Sequence, residues 1–266
     1  MKTSTANLLK SVLLLASLPF ALTPVFAQKD SLPNTIYIGY EQTHFDQQFP
    51  DDWRMSSLGY SRHTGWGTLL GRVNYANRFA RCGWQAEGEA YPVLNEKLYA
   101  YAGLSYGSDA PVFPQWRAGS TLYYAFAKGW EAEGGFRYLR FDQSIWMGTA
   151  GVSKYLGAWL LNARTFFSVQ TPANNLSYFI KAQRFLNNEK DYVWVQAGSG
   201  ISPDESRNIQ LNTASQLVTK RVGAGAKLSV TPQVQLSLTA GYASDEYRTK
   251  MYGGQYNGSV GVSLRF

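Results

Sequence analysis

Short amphipathic segments recur along this chain, and the last of them shows the pattern most clearly. It runs from Tyr256 to Phe266, the final residue of the sequence. Successive side chains of an extended strand point to opposite sides, so this segment has two different faces. The apolar face carries Val260, Val262, Leu264 and Phe266, and the other face carries Ser259, Gly261, Ser263 and Arg265. One such strand fits either the edge of a soluble β-sandwich or the wall of a β-barrel in a membrane.

Thirteen further segments of similar character precede the last one. They span residues 34–45, 53–62, 66–79, 84–91, 98–107, 115–127, 130–141, 145–156, 158–170, 176–186, 192–200, 216–230 and 233–244. A tilted strand needs about ten residues to cross the hydrocarbon of a bilayer, which is the typical length here. The pattern predicts an all-β fold, an antiparallel transmembrane β-barrel of about 14 strands. If two hairpins are merged or split, the count becomes about 12 or 16, which is also even, as bacterial single-chain barrels require.

The breaks between the segments favour the barrel over the sandwich. The longest breaks, at 46–52, 108–114, 201–215 and 245–255, all fall at one end of the predicted strands. The tight breaks, at 63–65, 128–129, 157 and 231–232, all fall at the other end. Long loops outside and short turns inside are typical of outer-membrane barrels. Proline cannot donate to a strand ladder, and the prolines after residue 27 are predicted to lie in or beside the breaks. They are Pro33, Pro50, Pro92, Pro111, Pro114, Pro172, Pro203 and Pro232.

Composition narrows the class further. The mean hydropathy is −0.27, and no long apolar run follows the first 27 residues, so the sequence excludes membrane-spanning helices. The formal net charge of +7 is not concentrated in a basic run, which argues against nucleic acid as a partner. Cys82 is the single cysteine, so no internal disulfide is expected.

The N-terminus has the parts of a secretory signal peptide. Lys2 and Lys10 provide positive charge, residues 8–20 form a mainly apolar core, and Pro24–Ala27 ends in a small residue suited to cleavage. The predicted domains are a cleaved signal peptide at 1–27, a short periplasmic tail at 28–33 and a barrel at 34–266.

Large aromatic side chains gather at the ends of the predicted strands. Aromatic residues there are typical of the two membrane–water boundaries, whereas a sandwich core would place them mid-strand. The predicted interface aromatics are Trp53, Trp66, Trp84, Trp116, Trp130, Trp146, Trp159 and Phe266.

The same alternation predicts which charged side chains line the barrel interior. They are Glu87, Glu89, Arg117, Glu131, Glu133, Arg137, Arg164, Lys181, Arg221, Lys227 and Arg265, accompanied by Tyr99, Tyr101 and Tyr123. Two interpretations stay open, because barrel interiors are polar in either case. One is a wet lumen that steers charged or hydroxyl-rich solutes, and the other is a set of ion pairs that fill a closed interior.

Catalytic and metal-binding patterns are weak. Nucleophilic catalysis needs a nucleophile beside a base that a third group orients, and only His44 and His63 could serve as the histidine base. Asp46 follows His44, and Ser61 precedes His63, but neither neighbourhood forms a hydrolase signature. Acidic loop residues such as Asp51 and Asp52 favour divalent ions and lipopolysaccharide over an aspartate protease. We therefore expect no catalytic residues, no metal site and no cofactor.

Several segments resemble the YaiO-type outer-membrane β-barrel family. They are Ile36–Glu41, the run Gly-Trp-Glu-Ala-Glu-Gly-Gly-Phe-Arg-Tyr at 129–138, Gly148–Tyr155 and the closing strand. The resemblance extends over nearly all of the chain after residue 27 and implies the outer membrane of a Gram-negative bacterium, reached by export through the inner membrane. It brings no assigned reaction. Some relatives join the barrel to helical repeats in glycan-handling systems, and we expect no such domain before this barrel.

Three functions follow as hypotheses. The first is a passive or partner-gated conduit for small polar or saccharide solutes. The second is a closed structural or surface-interaction barrel that acts through its outer loops, and the third is a lipid- or glycan-modifying enzyme. The expected partners are outer-membrane lipids and lipopolysaccharide, the barrel-insertion machinery through the C-terminal strand, and a polar or saccharide solute.

Overall fold

The computed structural model describes residues 32–168, 176–186, 188–200, 219–248 and 250–266. The predicted signal peptide and most of the predicted tail lie outside these residues. Within the described ranges the chain forms fourteen strands, which confirms the predicted all-β fold and the count of 14. Numbered in chain order they are β1 (Asn34–Phe45), β2 (Trp53–Thr64), β3 (Gly67–Arg78), β4 (Arg81–Asn95), β5 (Leu98–Gly107), β6 (Trp116–Ala127), β7 (Trp130–Arg140), β8 (Ser144–Leu156), β9 (Trp159–Ser168), β10 (Leu176–Phe185), β11 (Tyr192–Ser199), β12 (Thr219–Ser229), β13 (Val234–Arg248) and β14 (Met251–Arg265).

The strands close into one antiparallel barrel. Each strand pairs with its neighbours in sequence, and β1 also pairs with β14, with Thr35 opposite Arg265 and Tyr40 opposite Val260. Reciprocal hydrogen bonds between the backbones of Asn34 and Phe266, at 3.0 and 2.9 Å, extend this seam to the end of the chain. Closure satisfies the backbone polar groups that a free sheet edge would leave exposed, which a bilayer does not tolerate.

The two faces of the barrel are inverted relative to a soluble protein. Outward apolar side chains are widely exposed, with Ile38 and Ile180 each at 62%. Inward polar side chains such as Thr43, Asn74 and Gln85 are buried. Hydrocarbon around the barrel explains the exposed apolar side chains, and a polar interior explains the buried polar ones.

The two ends of the barrel differ in their connections. At the short-turn end, which also carries both termini of the barrel, six connections join the strands: 65–66, 96–97, 128–129, 157–158, 186–191 and 230–233. The long-loop end carries the connections 46–52, 108–115, 169–175 and 200–218, together with shorter ones. Most of 169–175 and 200–218 falls outside the described residues.

The predicted long break at 245–255 is wrong. Strand β13 continues to Arg248 and β14 begins at Met251, so only two residues connect them. The ladder places Asp245 opposite Gly253. Polar, glycine-rich sequence resembles a loop, but backbone hydrogen bonds do not depend on side-chain polarity, so a hairpin can extend through it.

The predicted end of the fourth strand at residue 91 is also too early. Strand β4 continues through Pro92 to Asn95, with Pro92 opposite Gly67. The pairing with β5 shifts register between Val93 and Asn95. A proline has no backbone N–H to donate, so it is tolerated where the ladder is irregular, here at a bulge near the strand end.

Candidate functional site

One side of the barrel interior holds a network of paired charges, which we call the paired wall (the interior face of β3–β9). At its centre the Glu87 carboxylate accepts hydrogen bonds from Arg72 at 3.0 Å and from Arg117 at 2.8 Å. Asn74 also donates to Glu87, whose side chain is only 4% exposed. Arg117 lies on β6 and Glu87 on β4, so the pair reaches past the intervening strand. Only side chains on the concave face of a barrel converge in this way.

A second pair within this wall crosses another strand. Arg164 of β9 binds both carboxylate oxygens of Glu133 on β7, with its Nη2 2.7 Å from Oε2. Gly151 of β8 lies between them, and a Cβ there would collide with the Glu133 carboxylate. The glycine therefore makes room for a bidentate pair, the strongest geometry that arginine and a carboxylate adopt.

Tyrosines complete the paired wall. Tyr99 donates a hydrogen bond to Glu131 at 2.7 Å, and its ring stacks on Tyr123 with centroids 4.6 Å apart. The Arg137 guanidinium lies 4.8 Å from the Tyr101 ring centroid. Glu89, another predicted interior residue, lies 3.7 Å from Arg72. All six charged residues predicted for β4, β6 and β7 therefore meet a partner on this side.

The opposite side of the interior carries cations, and we call it the basic wall (the interior face of β10–β14). Its four predicted charged residues are Lys181, Arg221, Lys227 and Arg265. The Lys181 ammonium lies 5.4 Å from the Trp194 ring centroid, and Arg265 donates to Ser229 at 3.3 Å. Arg221 lies over the Phe179 ring at 5.7 Å. Among the described residues, no carboxylate lies within 4.0 Å of Lys181, Lys227 or Arg265.

Small side chains separate these cations. The interior positions of β12, β13 and β14 include Gly223, Gly225, Ser237, Thr239, Gly241, Ser259 and Gly261. Short side chains leave space in front of the wall, whereas the long charged side chains of the paired wall extend into the interior. The barrel is thus filled unevenly.

An apolar cluster fills part of the interior at the long-loop end. In connection 108–115, Val112 and Phe113 are almost completely buried and pack against Ala76 of β3. The aromatic rings of Phe45, Phe49, Trp53 and Phe79 pack beside them, with centroid distances between 4.5 and 5.2 Å. The connection therefore folds into the barrel.

Trp53 departs from the predicted interface group because its ring belongs to this interior cluster and contacts Phe45 and Phe79. The alternation of β2 gives the physical reason, since Trp53 shares the inward face with Met55 and Ser57. The other members of the predicted group, Trp66, Trp84, Trp116, Trp130, Trp146, Trp159 and Phe266, are between 41% and 49% exposed near the two ends of the barrel.

A turn lies at the short-turn end beside the basic wall. The Asp191 carboxylate accepts a hydrogen bond from the Ser229 backbone at 2.7 Å, and the Gln235 side chain donates to the Lys190 carbonyl at 2.8 Å. Desolvation acts to raise the pKa of Asp191, but hydrogen bonds from Ser229, Asn188 and Gln235 outweigh it and lower the pKa. These contacts hold connection 186–191 against β12 and β13.

The two histidines lie at opposite ends of the barrel. The His44 ring donates from Nδ1 to Asp52 at 2.7 Å, on the exposed outer surface, rather than to the nearby Asp46. This hydrogen bond, followed by one from Gln42, lowers the pKa of Asp52. His63 contacts Thr68 at 3.0 Å. Within the described ranges, no three His, Cys, Asp or Glu side chains gather as metal ligands would.

Sequence reasoning missed two parts of the interior. Arg72 is the central partner of Glu87 and Glu89, although its alternation with Val73 on β3 already places it inward. Connection 108–115 packs inside the barrel, and the sequence indicates this only weakly. The signal is the apolar pair Val112 and Phe113 inside an otherwise polar loop.

A closed antiparallel barrel with an apolar outer face, aromatic ends and a polar interior defines a transmembrane β-barrel of the outer-membrane type. In the described part of the chain, no helix has the length and apolarity to cross a bilayer. The family model described as the YaiO membrane β-barrel domain matches residues 33–205. The chain belongs to this family, as the sequence resemblance predicted.

Solved structures share this fold at low sequence identity. The CymD monoaromatic hydrocarbon channel has a TM-score of 0.54 at 10% identity, covering 88% of this chain and 89% of that chain. A bacterial polysaccharide outer membrane secretin has a TM-score of 0.52 at 9% identity, covering 88% and 98%. Omp33 of Acinetobacter baumannii has a TM-score of 0.51 at 11% identity, covering 88% and 99%. No curated protein sequence matches the chain.

Proposed function

We propose that the protein is a conduit for small polar or saccharide solutes across the outer membrane of a Gram-negative bacterium. The observation that carries this proposal is the uneven interior. The paired wall is crossed by long side chains, whereas the basic wall combines cations with glycine and serine positions such as Gly223 and Ser237. The path for a solute runs along the basic wall. In this arrangement the short-turn end faces the periplasm, as in other barrels of this type.

Planar-bilayer recording of the refolded protein tests the conduit. We expect discrete conductance steps in the unmodified protein. Replacing Glu87 and Glu131 by Ala should change the step size, because both carboxylates lie on the interior face. Glu96→Ala, in a short-turn connection, is the matched control and should leave the step size unchanged. A protein that conducts neither before nor after the interior substitutions would overturn the proposal.

A closed barrel that acts through its loops is the second candidate. The inward packing of Val112 and Phe113 favours it, because these side chains occupy the interior at the long-loop end. Substituting both by Ser separates the candidates. A conduit narrowed by this loop should gain conductance, whereas a closed barrel should stay silent. If the closed barrel acts through its outer loops, deleting residues 201–215 should abolish its surface interaction.

A further inference from the structure

We infer that the basic wall makes the conduit selective for small anions, carboxylates or phosphates, that pass from one cationic side chain to the next. This inference rests on the proposed conduit and names the charge class of its solute. Rings and rows of Lys and Arg side chains are the means by which pores select anions and phosphate.

The cations of the basic wall form a staggered row across β10, β12 and β14, at successive levels between the long-loop end and the short-turn end. Lys181 is opposite Gln196, which is opposite Gly223, so Lys181 marks the middle level of the wall. Arg221 lies two residues from that level towards the long-loop end, and Lys227 lies four residues towards the short-turn end. With strands about 4.8 Å apart and about 3.4 Å per residue, neighbouring cations of the row are roughly 12–17 Å apart. Arg265 joins the row at the short-turn end, within electrostatic range of Lys227.

Within the described ranges, the carboxylates of the basic wall lie near its two ends. Asp245 and Glu246 are near the far end of β13, close to the long loops, and both are buried. On the adjoining strand β1, the charge of Glu41 acts on Arg78 of the paired wall. Asp191 lies at the short-turn end, where its carboxylate accepts a hydrogen bond from the Ser229 backbone. Between the two ends, Lys181 and Lys227 have no carboxylate within 4.0 Å in the described ranges, so the field along this stretch of the wall is positive.

The groups around the cations suit an anion in water. Trp194 lies against Gly225 and supports the Lys181 ammonium from one side, so the ammonium is positioned without being neutralised. Hydroxyl and amide groups, including Ser237 and Gln196, alternate with the cations and can donate hydrogen bonds. The Arg265 guanidinium uses one Nη for Ser229, and its buried Nε has no hydrogen-bond partner among the described atoms. A guanidinium binds carboxylate or phosphate more strongly than it binds a hydroxyl group.

The first test measures ion selectivity. The reversal potential of the refolded protein in a KCl gradient should show preference for chloride over potassium. The variant Lys181→Gln/Lys227→Gln should lose most of that preference, and Arg265→Gln should lower it further. Lys220→Gln, on the outward face of the same strand as Lys227, is the matched control and should change nothing. Conductance that is non-selective, cation-selective or unaffected in the double variant would overturn the inference while leaving the conduit intact.

The second test measures binding without conduction. Calorimetric titration of the detergent-solubilised full chain with citrate, at low chloride concentration, should show saturable binding. The double variant should bind about tenfold more weakly, since it loses charge-assisted hydrogen bonds. Glycerol at the same concentration should give no signal. Citrate binding by a protein that does not conduct would overturn the proposed conduit but support the proposed anion site. Absence of saturable binding, or equal binding by the double variant, would overturn the anion site.

Discussion

The two walls of the barrel interior differ in whether their charged side chains have partners of opposite charge. On the paired wall, Glu133 is 2% exposed and binds Arg164 through both oxygens, and Glu87 is shared by two arginines. On the basic wall, Lys181 and Lys227 have no carboxylate within 4.0 Å in the described ranges. Both walls belong to the same ladder of antiparallel strands, so the backbone pairing pattern does not explain the difference.

This difference indicates which side of the interior is wet. A buried ionised group is tolerated when a partner of opposite charge and hydrogen bonds compensate for its lost hydration. The paired wall meets that condition and links strands that are not neighbours. The basic wall does not meet it, so its ammonium groups need water or anions. The paired wall thus stabilises the barrel, and in the proposed conduit the basic wall is the surface that the solute contacts.

The largest expected effect comes from breaking one pair of the paired wall. Glu133→Ala leaves Arg164 without its carboxylate and should lower the free energy of unfolding by about 3 kcal/mol. Lys181→Ala on the basic wall should lower it by less than about 1 kcal/mol, since no ion pair is lost. Urea unfolding in lipid bilayers, followed by tryptophan fluorescence, measures both. The double variant Glu133→Ala/Arg164→Ala should recover part of the loss. Equal effects on the two walls would contradict the comparison.

A smaller effect is expected where the basic wall meets its short-turn end. Asp191→Ala removes the acceptor for the Ser229 backbone and should destabilise the barrel by about 1 kcal/mol. Because the folded state lowers the pKa of Asp191 from its ordinary 3.8, this stabilisation is present above that value and is lost as the pH falls through the folded pKa. Asp142→Ala, in an exposed connection, should have almost no effect in the same unfolding experiment. A difference between the variants that persists at the lowest pH would contradict this explanation.

A single substitution can introduce a carboxylate into the basic wall and so make it more like the paired wall. Gln196→Glu keeps the shape of the side chain and places a carboxylate opposite Lys181. The new cross-strand pair should raise the free energy of unfolding by about 0.5 kcal/mol, while the chloride preference in reversal-potential measurements should fall. Gln85→Glu, an isosteric change on the paired wall, provides the control for selectivity. A chloride preference that does not fall in Gln196→Glu would show that Lys181 does not set it.

The smallest expected effect concerns the exposed contact between His44 and Asp52 at the long-loop end. The folded protein lowers the pKa of Asp52 below its ordinary 3.8, first through the hydrogen bond with His44. The contribution of this carboxylate is therefore present above 3.8 and disappears as the pH falls through the lower, folded value. Carbon-13 NMR titration of the Asp52 carboxyl should show the shift, and His44→Ala should reduce it. An unchanged midpoint in His44→Ala would contradict the assigned cause.

Much of the fold could be predicted from local patterns. The alternation of apolar and polar residues predicted the number of strands and the face of each strand that points inward. The inward positions of Glu87, Glu133 and Lys181 were all predicted by this one rule, applied strand by strand. The same rule places Trp53 inward, but its position at a strand end favoured the membrane interface instead. The prediction of strand ends was less accurate at Pro92 and at 245–255, because a ladder of backbone hydrogen bonds can continue through proline and glycine near its ends.

The barrel could be predicted from the sequence because the longest breaks between the fourteen amphipathic segments fall at one end of the strands and the tight breaks at the other. Strands joined in this order fit a wall between lipid and a polar interior better than they fit a soluble sandwich. The distribution of the interior charges, by contrast, became visible only in the folded barrel. Whether Arg164 meets Glu133 or Lys181 meets no carboxylate depends on which strands curve towards each other across a third strand. Curvature and register are properties of the closed barrel as a whole, so no single segment contains that information.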